Sequence, residues 1–445
     1  MAGDRSDLHD KLLALIRQDL LGPAKGKGVV ANLVTEDDDT ALYVVALIDL
    51  PPTDDAMNRH LVRLHKTTGD VLGVKPVLID SDEMRRVLRG NGLGTLKTYQ
   101  RLANGAYGTT YKVSVDEPGR PQLIVQLRFH GNVASMNALQ DYIHVKAPQG
   151  LPVPRTFPTN SSHRDDGLQL QVTEFVPGTM ASHIFKHQPI EDRVPIVRQM
   201  ARAFAALWEL PIKREHNNIG EAVASSNGKP DGSLTITVGP EEQDGVGGPF
   251  NSVSSFLRAW ILHRLEKLEA QQGIDEYKAT QLSSIRQFVQ DKLDSRLPKG
   301  LDKIPVVLTH GDLGLHNVLI SEKPPFEFTA VIDWEFTSCL PFLCAVPRLI
   351  EPMLREGLEG QEEALLEAVQ PLREVFWNEI PAWRDIMASA EGQTFLEWYE
   401  FGLYMKANAY MKFDASLEER IAFWNRNISV VERFLAKWGQ DGPSL

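Results

Sequence analysis

Cysteine is nearly absent from this chain of 445 residues, which has only Cys339 and Cys344. Two thiols cannot build a disulfide scaffold or a Cys-rich zinc domain, and both read as buried, inert side chains. Long apolar runs are missing too. The longest, Ala41–Ile48, falls far short of the roughly 20 residues that span a bilayer. The opening stretch, MAGDRSDLHDKLLALIRQDL, is charged early and lacks the apolar core of a secretory signal. A soluble, cytoplasmic protein with no membrane partner is therefore expected. Positive charge is in deficit: 47 Lys plus Arg stand against 59 Asp plus Glu, a net charge of −12. Nucleic-acid binding usually needs a basic face, so nucleic acid is not an expected partner. The remaining balance, 42% hydrophobic and 24% charged, excludes a wholly disordered or fibrous chain.

Three textures follow one another. Residues 1–94 hold an amphipathic helix pattern at 8–21, ended by Gly22-Pro23. An acidic run follows (Glu36, Asp37, Asp38, Asp39), which reads as a solvated loop. Strand-length apolar runs at 42–50 and 74–79 come next, and then Ser81, placed to cap a short helix. This reads as a small α/β extension of unknown role. Residues 95–176 are strand-rich, with runs at 96–102, 109–115, 123–129 and 168–175 and one helix pattern at 133–145. Residues 177–445 show helical periodicity at 193–210, 252–271, 281–293, 360–380 and 417–438. A polar, Gly-rich insertion at 215–248 suggests a long loop with a hairpin.

The chemistry concentrates in one stretch. An apolar strand at 306–309 leads into His310-Gly311-Asp312. Asn317 lies five positions beyond Asp312 and precedes a second apolar strand. Asp333 follows inside Ile332-Asp333-Trp334-Glu335. A Pro-rich turn, Lys323-Pro324-Pro325, should fold this region into a hairpin that gathers Asp312, Asn317 and Asp333 at one end. Phosphoryl transfer uses such a set. One carboxylate orients the attacking hydroxyl and accepts its proton, while a second carboxylate and an amide oxygen hold Mg²⁺ against the phosphates. The spacing matches the kinase catalytic loop, His-x-Asp-x₄-Asn, with a metal-binding Asp beyond. Loop residues that merely satisfy their own turns are the alternative.

On these residues the chain resembles the aminoglycoside phosphotransferase family of small-molecule kinases over about residues 96–440. Ile332-Asp333-Trp334-Glu335-Phe336-Thr337, Asn218-Ile219-Gly220, Val238-Gly239-Pro240 and Gly248-Pro249-Phe250-Asn251-Ser252 are similar to its fungal members. The resemblance implies an α+β, protein-kinase-like bilobal fold, with a small antiparallel β N-lobe and a large helical C-lobe. It also implies transfer of the ATP γ-phosphate to a small-molecule acceptor. Carried over by position, Asp312 is the base, Asn317 and Asp333 are the Mg²⁺ ligands, and His310 holds the catalytic loop.

The nucleotide side is less regular. Gly105, Ala106 and Gly108 lie in a turn between two strands, where a phosphate-covering loop belongs; a plain hairpin turn is the other reading. The next strand carries no Lys. Arg128 is its candidate phosphate clamp, with a solvent-facing strand end as the alternative and Lys112 next in line. The helix glutamate that pairs with this cation in the family is missing, and Asp141 is the single acid in that helix. Glu174 and Val176 mark a hinge whose backbone would meet the adenine edge. Glu397-Trp398-Tyr399-Glu400 could line an acceptor pocket or simply pack. Two functional readings remain: a small-molecule kinase, or a pseudokinase-like module that binds nucleotide or a partner without turnover. A protein kinase is disfavoured because no activation segment follows Asp333.

Overall fold

The computed structural model describes residues 28–36, 41–48, 58–65, 71–76 and 78–440. Within the last range, 103–107, 118, 129–131, 148–149, 160–167, 212, 215–217, 226–234, 242–243, 272–274, 359–361 and 408–415 are excluded. The predicted helix at 8–21 and Asp37, Asp38 and Asp39 lie outside the described residues. The chain divides into two compact units. Unit 1 is Met1–Asp141 with Pro154–Val176, and unit 2 is Tyr142–Val153 with Pro177–Leu445.

Unit 1 opens with an antiparallel meander of β1 (Gly28–Glu36), β2 (Ala41–Ile48), β3 (Asn58–His65) and β4 (Val71–Pro76). Helix α1 (Ser81–Gly90) follows. Its cap is Asp80 rather than the expected Ser81: Asp80 Oδ1 accepts from the backbone of Asp82 and Glu83 at 2.9 and 2.7 Å. The carboxylate satisfies two orphan N–H groups and faces the positive end of the helix dipole. Met84, Val87 and Leu88 share one helix face and are buried.

The second sheet of unit 1 runs in the order β5 (Leu96–Arg101), β6 (Gly108–Val115), β7 (Leu123–Arg128), β9 (Gln169–Glu174), β8 (Thr156–Phe157). Helix α2 (Val133–Lys146) follows β7 in the chain. Alternation sets the inner face. Tyr111 and Val113 from β6 and Leu123, Val125 and Leu127 from β7 are buried in one core with Met84, Val87 and Leu88 of α1. The Tyr111 hydroxyl accepts the Ile79 N–H at 2.9 Å, tying the entry of α1 to the sheet.

Unit 2 contains a three-stranded sheet, β10 (Thr179–Met180), β15 (Val318–Ile320), β16 (Phe328–Val331), and a five-stranded sheet. The latter runs in the order β11 (Lys213–Arg214), β13 (Thr235–Gly239), β12 (Gly220–Ser225), β17 (Thr337–Pro341), β14 (Val306–His310). The principal helices are α3 (Ile190–Trp208), α4 (Val253–Ala270), α5 (Asp275–Asp291), α6 (Glu362–Glu379), α7 (Ala390–Tyr404) and α8 (Leu417–Trp438). Ser252 and Ser255 cap α4 reciprocally.

The insertion does form a hairpin, β12 with β13, and β12 also docks on β17 through Gly220↔Cys339 and Glu221↔Ser338. The three insertion motifs meet there. Ile219 and Phe250 exchange backbone hydrogen bonds at 2.8 and 2.9 Å, and Val238 pairs with Ala222. Gly220 has φ 156°, and a Cβ there would run into the backbone oxygen of Gly239, so the close strand approach requires glycine.

Trp398 and Tyr399 of α7 are fully buried, and Tyr399 stacks on Trp260 at 5.0 Å. Glu397 is engaged by Lys437 and by Trp438 Nε1 of α8. Trp398 and Tyr399 thus pack in the core, and Glu397 is tied to α8. Both cysteines are buried and neither forms a disulfide, and burial pushes the Cys344 thiol far up, away from reactivity. No helix among the described residues is long and apolar enough to cross a membrane.

Candidate active site

The site in unit 2 is assembled by backbone bonds around Ile332. Strands β14 and β17 pair antiparallel, with His310 opposite Thr337, and Gly311 N–H donates to Phe336 O at 2.5 Å. Strands β15 and β16 form the predicted hairpin, with Val318 opposite Val331. One residue further, Ile332 N–H donates to Asn317 O at 2.9 Å. On its other side, Ile332 O lies 2.9 Å from His310 Nε2. Residues 310–312 and 317 are therefore joined to the more distant 332–333 at one end of two sheets.

His310 is 1% exposed. Its Nδ1 accepts the Asp312 N–H at 3.2 Å, which leaves the proton on Nε2 for Ile332 O. Burial lowers its pKa, so the ring stays neutral. Its ring lies 4.7 Å from that of Trp334, whose Nε1 donates to Val331 O at 3.1 Å. His310 thus contacts the loop on both sides.

Asp312 is partly exposed, and two donors converge on one of its oxygens. Asn317 Nδ2 reaches Oδ2 at 3.0 Å and the Asp312 backbone O at 2.9 Å; His316 Nε2 lies 3.1 Å from the same Oδ2. The hydrogen bond to Asp312 raises the His316 pKa, with the carboxylate charge adding to the effect. His316 was not singled out from the sequence. Its signal was its place beside Asn317, four residues from Asp312.

Asn317 is 4% exposed. Because its Nδ2 is spent on Asp312, its Oδ1 is the atom left to accept or ligate. Asp333 has φ 70°, the one positive value among the described non-glycine residues. Asp tolerates this left-handed region better than most, and such outliers cluster at functional sites. Among the described residues, no group of three or more His, Cys, Asp and Glu side chains is arranged to hold a metal. An amide oxygen and a carboxylate suit a hard cation that takes its other oxygens from water and phosphate.

In unit 1, Gly108 pairs with Arg128, the candidate clamp, across β6 and β7. Gly105 and Ala106 lie outside the described residues. Arg128 is 4% exposed, not solvent-facing. Its Nε donates to Gln171 Oε1 and its Nη2 to Gln126 Oε1, both at 2.8 Å. Asp141 accepts from Thr156 Oγ1 at 2.6 Å instead of serving Arg128. Lys112 sits 3.7 Å over the Phe175 ring, where it braces the strand end. Glu174 N–H donates to Arg155 O and Phe175 N–H to Gln122 O, both at 2.8 Å. Among the described residues, Val176 N–H has no such partner.

A model of the phosphotransferase enzyme family matches residues 98–374. No curated protein matches the sequence significantly. Solved structures similar to the chain include a thermostable mutant of aminoglycoside phosphotransferase APH(4)-Ia in ternary complex with AMP-PNP and hygromycin B. Its identity is 15%, its TM-score is 0.47, and the match covers 79% of this chain and 98% of that one. Spectinomycin phosphotransferase, complexed with ADP and spectinomycin, shares 13% identity at TM-score 0.41, covering 80% and 98%. An ethanolamine kinase from Plasmodium vivax shares 13% at TM-score 0.45, covering 80% and 93%.

Proposed function

Since the chain belongs to the phosphotransferase enzyme family, we propose that it moves the γ-phosphate of ATP to a hydroxyl of a small molecule. The observation that carries this reading is the asymmetry of Asp312. Its Oδ2 is held by His316 and Asn317, which leaves Oδ1 to meet the acceptor hydroxyl. A carboxylate fixed by one oxygen can orient the hydroxyl and accept its proton as the O–P bond forms. Asn317 Oδ1 and the Asp333 carboxylate would hold Mg²⁺, which when bound would neutralise charge on the phosphate oxygens. In unit 1, Gly108 with Gly105 and Ala106 would approach the phosphates, Arg128 would clamp them, and Glu174 and Val176 would present backbone groups to adenine. A metabolite-library screen for ADP release, followed by mass spectrometry of the product, tests the reading. Failure of every hydroxyl-bearing class to release ADP would favour the pseudokinase-like alternative, to which the missing helix glutamate already lends support.

Arg128→Met removes the charge and keeps much of the stem. ATP affinity should fall roughly tenfold or more, since a charge-assisted hydrogen bond contributes about 1.5–3 kcal/mol, while adenosine affinity stays unchanged. Titration calorimetry with both ligands reads this directly, and equal loss for both would make Arg128 structural. His316→Leu removes one of the two donors to Asp312. Turnover should fall roughly five- to tenfold, the worth of about 1–1.5 kcal/mol, with the KM for ATP within about twofold of the parent. A KM that moves as much as kcat would place His316 in nucleotide binding.

A further inference from the structure

Arg128 is buried at the end of β7, in the position where the resembled family uses a helix carboxylate to hold the cation, and α2 offers none. The described contacts supply another holder. Gln171 on β9, 2% exposed, accepts from Arg128 Nε at 2.8 Å. Its own amide nitrogen is spent on α2, donating to Asn137 Oδ1 and to Gln140 Oε1, each at 2.9 Å. With two acceptor oxygens facing Nε2, the amide cannot turn over without losing three hydrogen bonds, so Oε1 stays on the guanidinium. A second amide, Gln126, takes Nη2 and is itself steadied by a bond from its Nε2 to Thr110 Oγ1 at 3.2 Å. The one acid of α2, Asp141, is engaged with Thr156.

We propose that Gln171 is a positioning residue that replaces the helix carboxylate, orienting Arg128 toward the nucleotide phosphates through a neutral amide relay to helix α2. The proposal rests on the reading of Arg128 as the phosphate clamp. An amide fixes the geometry of the guanidinium without cancelling the charge that attracts phosphate. A carboxylate would fix it and compete with the ligand for the same donors.

The test compares Gln171→Leu, Gln171→Glu, Asn137→Ala and Arg128→Met in the full chain, each checked by thermal melting. Calorimetry then measures AMP-PNP and adenosine binding. Gln171→Leu should weaken AMP-PNP roughly fivefold or more and leave adenosine within about twofold. Gln171→Glu keeps the acceptor oxygen and should recover part of that loss. Asn137→Ala, at the far and partly exposed end of the relay, should show a smaller loss of the same selectivity. Equal weakening of both ligands by Gln171→Leu would make Gln171 structural and overturn the proposal. So would AMP-PNP affinity at the parent level in Gln171→Leu while Arg128→Met is weakened. If Gln171→Leu fails to fold, Gln171→Glu and Asn137→Ala decide, and parent-level AMP-PNP affinity in both overturns the proposal. Undiminished AMP-PNP affinity in Arg128→Met is a different result, since it removes the clamp reading itself.

Discussion

Asp312→Asn should lower turnover by roughly 10²–10⁴ while ATP binds nearly as before. The substitution keeps the shape of the side chain and removes its capacity to take a proton. The orientation of the new amide is set by the local pairing, because Oδ2 accepts from both Asn317 and His316. Asparagine can keep an oxygen on those two donors by turning its amide, which then points an N–H₂ group toward the acceptor hydroxyl. That geometry repels the incoming donor and cannot accept its proton, so the loss falls on kcat. ATP affinity is spared because Asp312 does not ligate nucleotide in this scheme. Single-turnover assays with an identified acceptor measure the chemical step, and calorimetry measures ATP binding. Activity within threefold of the parent would remove Asp312 from the mechanism.

The legible parts of this molecule were those written in local pattern. The His310–Asp312–Asn317 spacing and the hairpin that follows are both short-range, and the strands at β5, β6, β7 and β9 came from alternation that the buried face of the sheet enforces. The cap of α1 slipped by one residue because Asp80 and Ser81 are both good caps. Geometry chose the one whose carboxylate reaches two N–H groups. What could not be read were pairings set by the fold. Nothing in sequence links Gln171 to Arg128 across 43 positions, or sends Lys112 over the Phe175 ring. Trp398 and Tyr399 carried the same ambiguity, since an amphipathic helix and an aromatic pocket wall share one periodicity until a partner surface is present. His316 was overlooked because it lies between two motif positions and gains its meaning only when the 3-10 turn Leu315–Asn317 folds it back onto Asp312.

Asp333→Ala should abolish the Mg²⁺-dependent tightening of ATP binding. The residue follows Ile332, whose N–H and C=O are bound to Asn317 and His310, so its backbone position is fixed from both sides of the hairpin end. Its φ of 70° is held there. Trp334, buried at 1% exposure, anchors the following residue, and Thr337 Oγ1 closes the turn on Trp334 O at 2.8 Å. This local order fixes the backbone at Asp333 one residue beyond the link between Ile332 and Asn317. A divalent ion bound through one or two carboxylates and the phosphates loses most of its protein charge when the Asp333 carboxylate goes. Alanine is also less tolerant of a left-handed backbone than aspartate, at a cost of roughly 1–2 kcal/mol, so the variant should melt earlier for a reason unrelated to metal. Asp333→Asn separates the two effects. Asparagine accepts the same φ and lacks the charge, so it should melt near the parent yet still lose the Mg²⁺ effect. Calorimetry of ATP with and without Mg²⁺ on both variants reads the outcome. Retention of the parent's Mg²⁺ dependence in Asp333→Asn would sink the metal assignment, whereas loss in Asp333→Ala alone would trace the defect to the backbone. Loss in both, with the melting change confined to alanine, is the result that the left-handed Asp333 and its bracing predict.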